Sequence, residues 1–296
     1  MPAARFVSPR RSSSTDGSGW WTSFPEALPG SCVGFFRIIV LYQCSETPIR
    51  SRRSEEESMG ERVQYTYDAG VSWIGIDDGK VNVMSPQMQA ELTAAFDQAE
   101  RDDGVVVVRG RPGVLSAGFD LNLLGEASGA SAGMVVGGFE LALRVLSHPR
   151  PVVVACTGHA VAMGAFLLLS GDYRIATTAP ARLTANEVAI GLTMPRAAIT
   201  ILRQRLTPAA FQRATLLAEV FGPQGAVAAG FLDEVVEPGR FDERIAEAAI
   251  ALTRLDRDAQ CATKRRTRAP LIAALTAAIE DDREEFAARV VSAAAN

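Results

Sequence analysis

Two short apolar runs, Val105-Val106-Val107-Val108 and Val152-Val153-Val154-Ala155-Cys156, constrain this chain most. Both lack polar alternation and are rich in β-branched residues, which suits strands buried on both faces of a sheet. Segments of helical period flank them. Met88, Leu92, Ala95, Phe96 and Ala99 recur after Ser85-Pro86, an N-cap with proline at the first helical position, predicting a helix near 86–101. A second helix is expected over 134–146, ended by Pro149-Arg150-Pro151. Further strands are expected at 71–77, closed by the Asp78-Gly79 turn, and at 172–177. Residues 157–164 read as a strand leaving the sheet, with a helix starting near 163. Beyond 207 the chain reads as nearly all helical, with stripes at Phe241, Ile245, Ala248, Leu252, Leu255 and at Leu271, Leu275, Ala278, Phe286, Val290. Repeated strand-turn-helix units make an α/β fold with a helical C-terminal region. Strand order is not legible from periodicity.

Composition narrows the function classes. With 296 residues, 48% hydrophobic and 22% charged, the chain can bury a full core as one or two domains. A net charge of -4 and a pI near 5.4 disfavour a nucleic-acid partner. Cysteines 32, 44, 156 and 261 share no short metal spacing and there are two histidines, so no metal site is expected. A reduced, cytoplasmic setting is the expectation for a chain that needs no disulfides. The nearest candidate for a membrane span, Cys32 to Tyr42, is short and broken by Arg37, so no membrane partner is expected. There is no Gly-x-Gly-x-x-Gly after the first strand and no phosphate-binding Gly-x-x-x-x-Gly-Lys-Ser/Thr, so nucleotide readings lose their usual support.

Two glycine turns stand out. Leu115-Ser116-Ala117-Gly118-Phe119-Asp120 follows a buried strand, and Ala162-Met163-Gly164 sits at a helix start, where free N–H groups and the helix dipole favour negative charge. Donors converging from two such loops would stabilise an enolate or tetrahedral oxygen. From composition and spacing alone, tight turns serving backbone geometry are the simpler reading.

Four stretches, in order, change that balance: Asp78-Gly79-Lys80-Val81-Asn82, then Leu115 to Asp120, then Gly158-His159-Ala160-Val161-Ala162-Met163-Gly164-Ala165, then Asn186-Glu187-Val188-Ala189-Ile190-Gly191-Leu192 with Pro195 after it. On these the chain resembles the crotonase superfamily, the enoyl-CoA hydratase/isomerase family. The resemblance covers most of residues 59–296 and none of 1–58. It implies a crotonase-like α/β core over 59–240. It also implies a helical region over 241–296 that covers the site and assists assembly into homotrimers or hexamers. Residues 1–58, with Arg10-Arg11-Ser12-Ser13-Ser14 and Glu55-Glu56-Glu57, differ in texture and are expected to be a poorly ordered or mis-assigned extension. A targeting segment, an interaction tail and a start placed upstream of Met59 are the three readings, the last preferred.

The resemblance implies an acyl-CoA or enoyl-CoA thioester as ligand, with coenzyme A carried as part of the substrate and no other cofactor. It implies backbone donors at Ala117 and Met163, with Gly118 and Gly164 beside the acyl group. The family favours glycine where Met163 stands; the methionine side chain either narrows the pocket or packs inward. A hydratase of this family uses two glutamates. The first position holds Phe166 here, which cannot move a proton but can line the substrate site; the second holds Glu187. Syn addition of water wants both acids, whereas moving a double bond needs one base, so one-base isomerisation is expected ahead of hydration. A non-catalytic acyl-CoA binder is the remaining reading. Glu140 is read as helix surface or a replacement acid, Asp120 as a loop tether ahead of a catalytic group, His159 as a core residue or loop tether ahead of a proton relay, and His148 as surface. Arg109, Arg111 and Lys264, the last in Lys264-Arg265-Arg266, are candidates for the phosphates of coenzyme A.

Overall fold

The computed structural model describes residues 57–58 and 60–294; the remaining calls on residues 1–58 lie outside them. The chain opens with β1 (Glu57–Ser58), β2 (Val63–Asp68), β3 (Val71–Ile76), α1 (Pro86–Asp102), β4 (Val105–Arg109) and β5 (Gly113–Ser116). It continues through α2 (Leu121–Gly125), α3 (Gly129–Ser147), β6 (Val152–Cys156), β7 (Gly158–Val161), α4 (Met163–Ser170), β8 (Tyr173–Thr177) and β9 (Leu183–Thr184). A 3-10 turn (Glu187–Ile190) precedes α5 (Arg196–Arg205), α6 (Pro208–Leu217), α7 (Pro223–Ala229), β10 (Glu234–Val236), α8 (Phe241–Thr253) and α9 (Arg257–Ala294).

The valine runs are central strands. A seven-stranded sheet has the order β1-β2-β3-β4-β6-β8-β10, antiparallel over its first two pairings and parallel from β3 onward. Every residue of β6 and the four valines of β4 are buried. A second, parallel sheet, β5-β7-β9, carries the ends of the two glycine turns. The expectation of a nearly all-helical chain beyond 207 is corrected by β10, which pairs Glu234–Val236 with Ile175–Thr177. Three residues are too few to show a period, so only the partner strand reveals them.

Capping sets the helix ends. Ser85 accepts from the Met88 N–H ahead of Pro86, and Ser128 and Ser131 form a reciprocal box at the start of α3. α3 begins five residues before the expected 134 because Gly129-Ala130-Ser131-Ala132-Gly133 carries no apolar stripe. By length and composition α3 is apolar enough to cross a bilayer, correcting the expectation that no segment reaches that threshold; here Met134, Val136, Phe139 and Leu146 of this helix are in the core.

α9 is held at both ends. Near its start, Lys264 Nζ donates to Arg150 O (3.0 Å) and Asp172 (2.5 Å), and Arg268 pairs with Asp172 at 2.8 Å. Further along, Asp282 accepts from the Arg196 and Ala197 N–H groups at 3.0 and 2.9 Å. α5 has no side-chain cap of its own after Pro195, so α9 supplies it.

Candidate active site

The two glycine turns meet. Asn82, buried at φ 54°, donates to Ile76 O and Leu115 O (3.0 and 3.1 Å), while Asp78 accepts from the N–H groups of Lys80, Asn82 and Val83. Those backbone hydrogen bonds outweigh burial and hold the Asp78 carboxyl below its ordinary value. This knot fixes Val81, whose carbonyl accepts the Ala117 N–H at 2.9 Å, and Met84, whose N–H reaches Gly118 O at 2.8 Å. Ser116 Oγ donates to Asn82 O (2.6 Å) and accepts from Gly118 N (3.1 Å). Asp120 caps α2 through the Asn122 N–H at 3.0 Å, the tether expected of it.

Gly118 is required by conformation and by space. Its φ is +93°, and a Cβ there would lie 3.0 Å from Ala162 Cβ and Val161 O and 3.4 Å from Met163 N. Opposite it, Ala162 adopts φ 48°, ψ -119°, a sparsely populated conformation for alanine, and starts α4 without a side-chain cap. Met163 and Gly164 at the head of α4 have no acceptor for their N–H groups among the described residues. Gly164 packs rather than lines: a Cβ there would stand 2.4 Å from Ser116 O.

The expected donor pair is half corrected. The Ala117 N–H is consumed by Val81 O, so it cannot hold a ligand oxygen. The N–H of Phe119 has no acceptor among the described residues, and Phe119 lines the adjoining cavity. One residue past the end of β5 the backbone is still bonded to a neighbouring segment; the free donor comes after the positive-φ glycine. The Asp120 cap immediately following was the available signal.

That cavity, of about 280 Å³, is mainly apolar, with walls from Phe119, Leu124, Val135 and Phe139 and a far side from Phe286 and Val290 of α9. Phe286 and Val290, read only as a helical stripe, are thus wall residues. Glu187 is the one acid among the described lining residues. It is 7% exposed and its Oε2 has no partner, and burial pushes its carboxyl up to about 7, against a smaller opposing pull from its own backbone N–H. Asn186 lines the cavity too, and its Oδ1 is buried without a partner.

Other expected residues fall elsewhere. Phe166 is 0% exposed and stacks on Phe139 with centroids 5.7 Å apart, so it stands behind the wall and not in it. Met163 packs inward: a Cβ on Gly138 of α3 would be 3.2 Å from Met163 Sδ and 2.5 Å from the Phe119 ring. Lys264 is no phosphate ligand; it is buried and committed to Asp172 and Arg150 O. Arg109 pairs with Asp242 (3.2 Å), and Arg111 with Asp77 (3.6 Å) and Lys80 O (3.1 Å), all outside the cavity wall. His148 is buried against Phe96, with burial lowering its pKa to about 4, not on the surface. His159 is an exposed tether that accepts the Arg182 N–H at 3.0 Å. Glu140 pairs with Arg283 at 2.7 Å on the surface and replaces no acid. Among the described residues no cluster could hold a metal ion.

Comparison with known proteins returns one family and two reaction names. The Enoyl-CoA hydratase/isomerase family model matches residues 66–294. The human mitochondrial enoyl-CoA delta isomerase 1 is 32% identical over 173 residues, covering 57% of this chain and 57% of that protein. The chain thus spans little more than half of that relative's length. Among solved structures, an enoyl-CoA isomerase of Mycobacterium tuberculosis aligns with TM-score 0.73 and 48% identity over 76% of this chain and 98% of its own. An enoyl-CoA hydratase of Mycobacterium marinum aligns with TM-score 0.73 and 48% identity, over 76% and 99%. The names differ while the likeness does not.

Proposed function

Because the chain belongs to the enoyl-CoA hydratase/isomerase family, we propose that it isomerises an enoyl-CoA through a thioester enolate, with Glu187 as its one base. The observation that carries this reading is the wall itself: Glu187 is the one acid among the described lining residues, and the first hydratase position holds Phe166, sealed behind Phe139.

The acyl chain lies in the apolar cavity and the thioester oxygen accepts from the Phe119 and Met163 N–H groups. Glu187, ionised, removes a proton from C2 of a 3-enoyl thioester; the C–H electrons form a C1–C2 double bond and the carbonyl π electrons move onto oxygen, giving a dienolate. Its collapse re-forms the carbonyl, makes the C2–C3 double bond and turns the C3–C4 electrons toward a proton at C4. The protonated acid then returns the proton to C4, leaving the 2-enoyl thioester and the carboxylate. A donor aimed at the developing oxyanion is worth about 3–4 kcal/mol in a dry site. The raised pKa brings the base close to working pH, where it is strong enough to act and still substantially ionised.

The experiment is proton exchange and turnover followed by NMR on matched 3-enoyl-CoA and 2-enoyl-CoA in deuterated water, with Glu187→Gln beside the parent. Isomerisation with exchange at C2 and C4, lost in the variant, is the expected result. Hydration without isomerisation would reverse the assignment; acyl-CoA affinity without exchange would make the protein a binder. Hydration is the second reading, favoured by the equal likeness to a hydratase.

Assembly into trimers or hexamers belongs to the same proposal. Val188, Ile190, Leu192, Leu216, Leu217 and Val220 expose apolar side chains around the Glu187 turn and α6, the kind of patch that contact between copies covers.

A further inference from the structure

Asparagine immediately before a helical turn ordinarily folds its side chain onto the free N–H groups there. Asn186 does not. Its backbone carbonyl accepts from Ala189 and Ile190 (3.0 and 3.3 Å), yet it provides no side-chain cap to the Glu187 turn. Its Oδ1 is buried without a partner. An unsatisfied buried polar group costs about 1–3 kcal/mol and calls for an explanation.

Position supplies one. Asn186 lines the acyl cavity and also a second, open groove whose walls include Val81, Val161, His159 and Arg182. The two share Ala117, Asn186 and Ile190, so these residues mark their junction. The Ala117 N–H is already bonded to Val81, and its side chain and that of Ile190 are apolar. Among the described residues, Asn186 therefore carries the one side-chain hydrogen-bonding group of the shared wall. A thioester that fills the cavity with its acyl chain sends its thiol half through the junction. In coenzyme A, two carbons beyond the sulfur, that half carries a secondary amide, one donor and one acceptor. A carboxamide offers the complementary pair in either orientation.

We propose that Asn186 is a substrate-binding residue whose carboxamide hydrogen-bonds the amide nearest the sulfur in the thiol arm of the substrate. This rests on the acyl-CoA reading above. It gives the orphaned group a partner and gives the site a means of telling a coenzyme A arm from a plain alkyl thiol.

The test has a binding arm and a kinetic arm. Asn186→Ala and Asn186→Leu remove a side chain that makes no hydrogen bond among the described residues, so both should fold. Titration calorimetry with saturated butanoyl-CoA should show Kd rising roughly tenfold in both, the worth of one such hydrogen bond. An unchanged Kd in variants of a parent that does bind overturns the contact and leaves the acyl-CoA reading intact. A parent that binds no acyl-CoA overturns both. In the kinetic arm, the 3-hexenoyl thioesters of N-acetylcysteamine and of butanethiol differ chiefly in the amide. Asn186→Ala should lose about tenfold in kcat/KM on the first and stay within about twofold on the second. Equal loss on both overturns the proposal and makes Asn186 a residue that acts through Glu187.

Discussion

Glu187 ties activity and stability to the same proton, with opposite signs. As the base of the proposed isomerisation it must be ionised, so kcat/KM for a 3-enoyl-CoA should climb with pH and level off above about 7. Its folded pKa lies above the ordinary 4.5, so the native state holds the proton more tightly than the unfolded chain does. Stability from this group is therefore full below about 4.5 and is lost as pH rises through about 7. Glu187→Gln should abolish exchange at C2 and raise the unfolding free energy at pH 8 by up to about 3 kcal/mol, with little change at pH 4.5. Denaturant titrations at the two pH values check it; equal shifts would remove the buried-carboxylate account. Phe166 gives a second residue-scale expectation. Restoring an acid by Phe166→Glu would bury it behind Phe139, costing several kcal/mol and yielding no hydratase. Hydration by a stably folded variant would show that the aromatic stack opens. Gly138→Ala should drive the Phe119 ring and Met163 Sδ off α3, lowering kcat more than it raises KM. Truncating Met163 to alanine in the same chain should recover only part, since the Phe119 contact is closer. At this scale the motifs pointed to Glu187, the acid of the cavity wall, and to Met163, whose N–H has no acceptor among the described residues. They misplaced the other donor because the Ala117 N–H belongs to Val81, a partner 36 positions away. They misread Lys264 because its acid, Asp172, is 92 positions distant.

Elements show why some parts were readable and others were not. α1 follows from its apolar period and the Ser85-Pro86 cap, the two valine strands from their unbroken β-branched runs and α4 from the apolar run after a glycine turn, and the structure places them where those features do. β9 and β10 have two and three residues, and their identity is a property of β7 and β8 beside them. α5 borrows its cap from Asp282, which the sequence presents as one acid in a charged helix. Asp282→Ala should therefore act on two elements at once. It strips the first turn of α5 and loosens the half of α9 that carries Phe286 and Val290, with a loss of about 2–4 kcal/mol for a charge-assisted pair of bonds. Hydrogen exchange should rise in residues 196–200 and 282–290 together. Exchange confined to α9 would mean the cap is not what joins them.

For the molecule as a whole, parallel order β3-β4-β6-β8-β10 puts the site where the second sheet meets the first turn of α4. The strand order was beyond reach from the sequence because parallel neighbours are chosen by crossover packing and not by anything within a strand. The family motifs carried that information indirectly, by naming an architecture.

The turn that presents Glu187 has a second face. Glu187 points into the cavity wall, while Val188, Ile190 and Leu192 on the same short segment are 39, 47 and 39% exposed. In the proposed assembly, a contact between copies that covers that outer face would also steady the ground on which Glu187 stands. Dilution should then be an inhibitor: as subunits part, specific activity should fall before circular dichroism registers any loss of structure. A specific activity flat from micromolar to picomolar protein would show that each copy braces its own turn unaided.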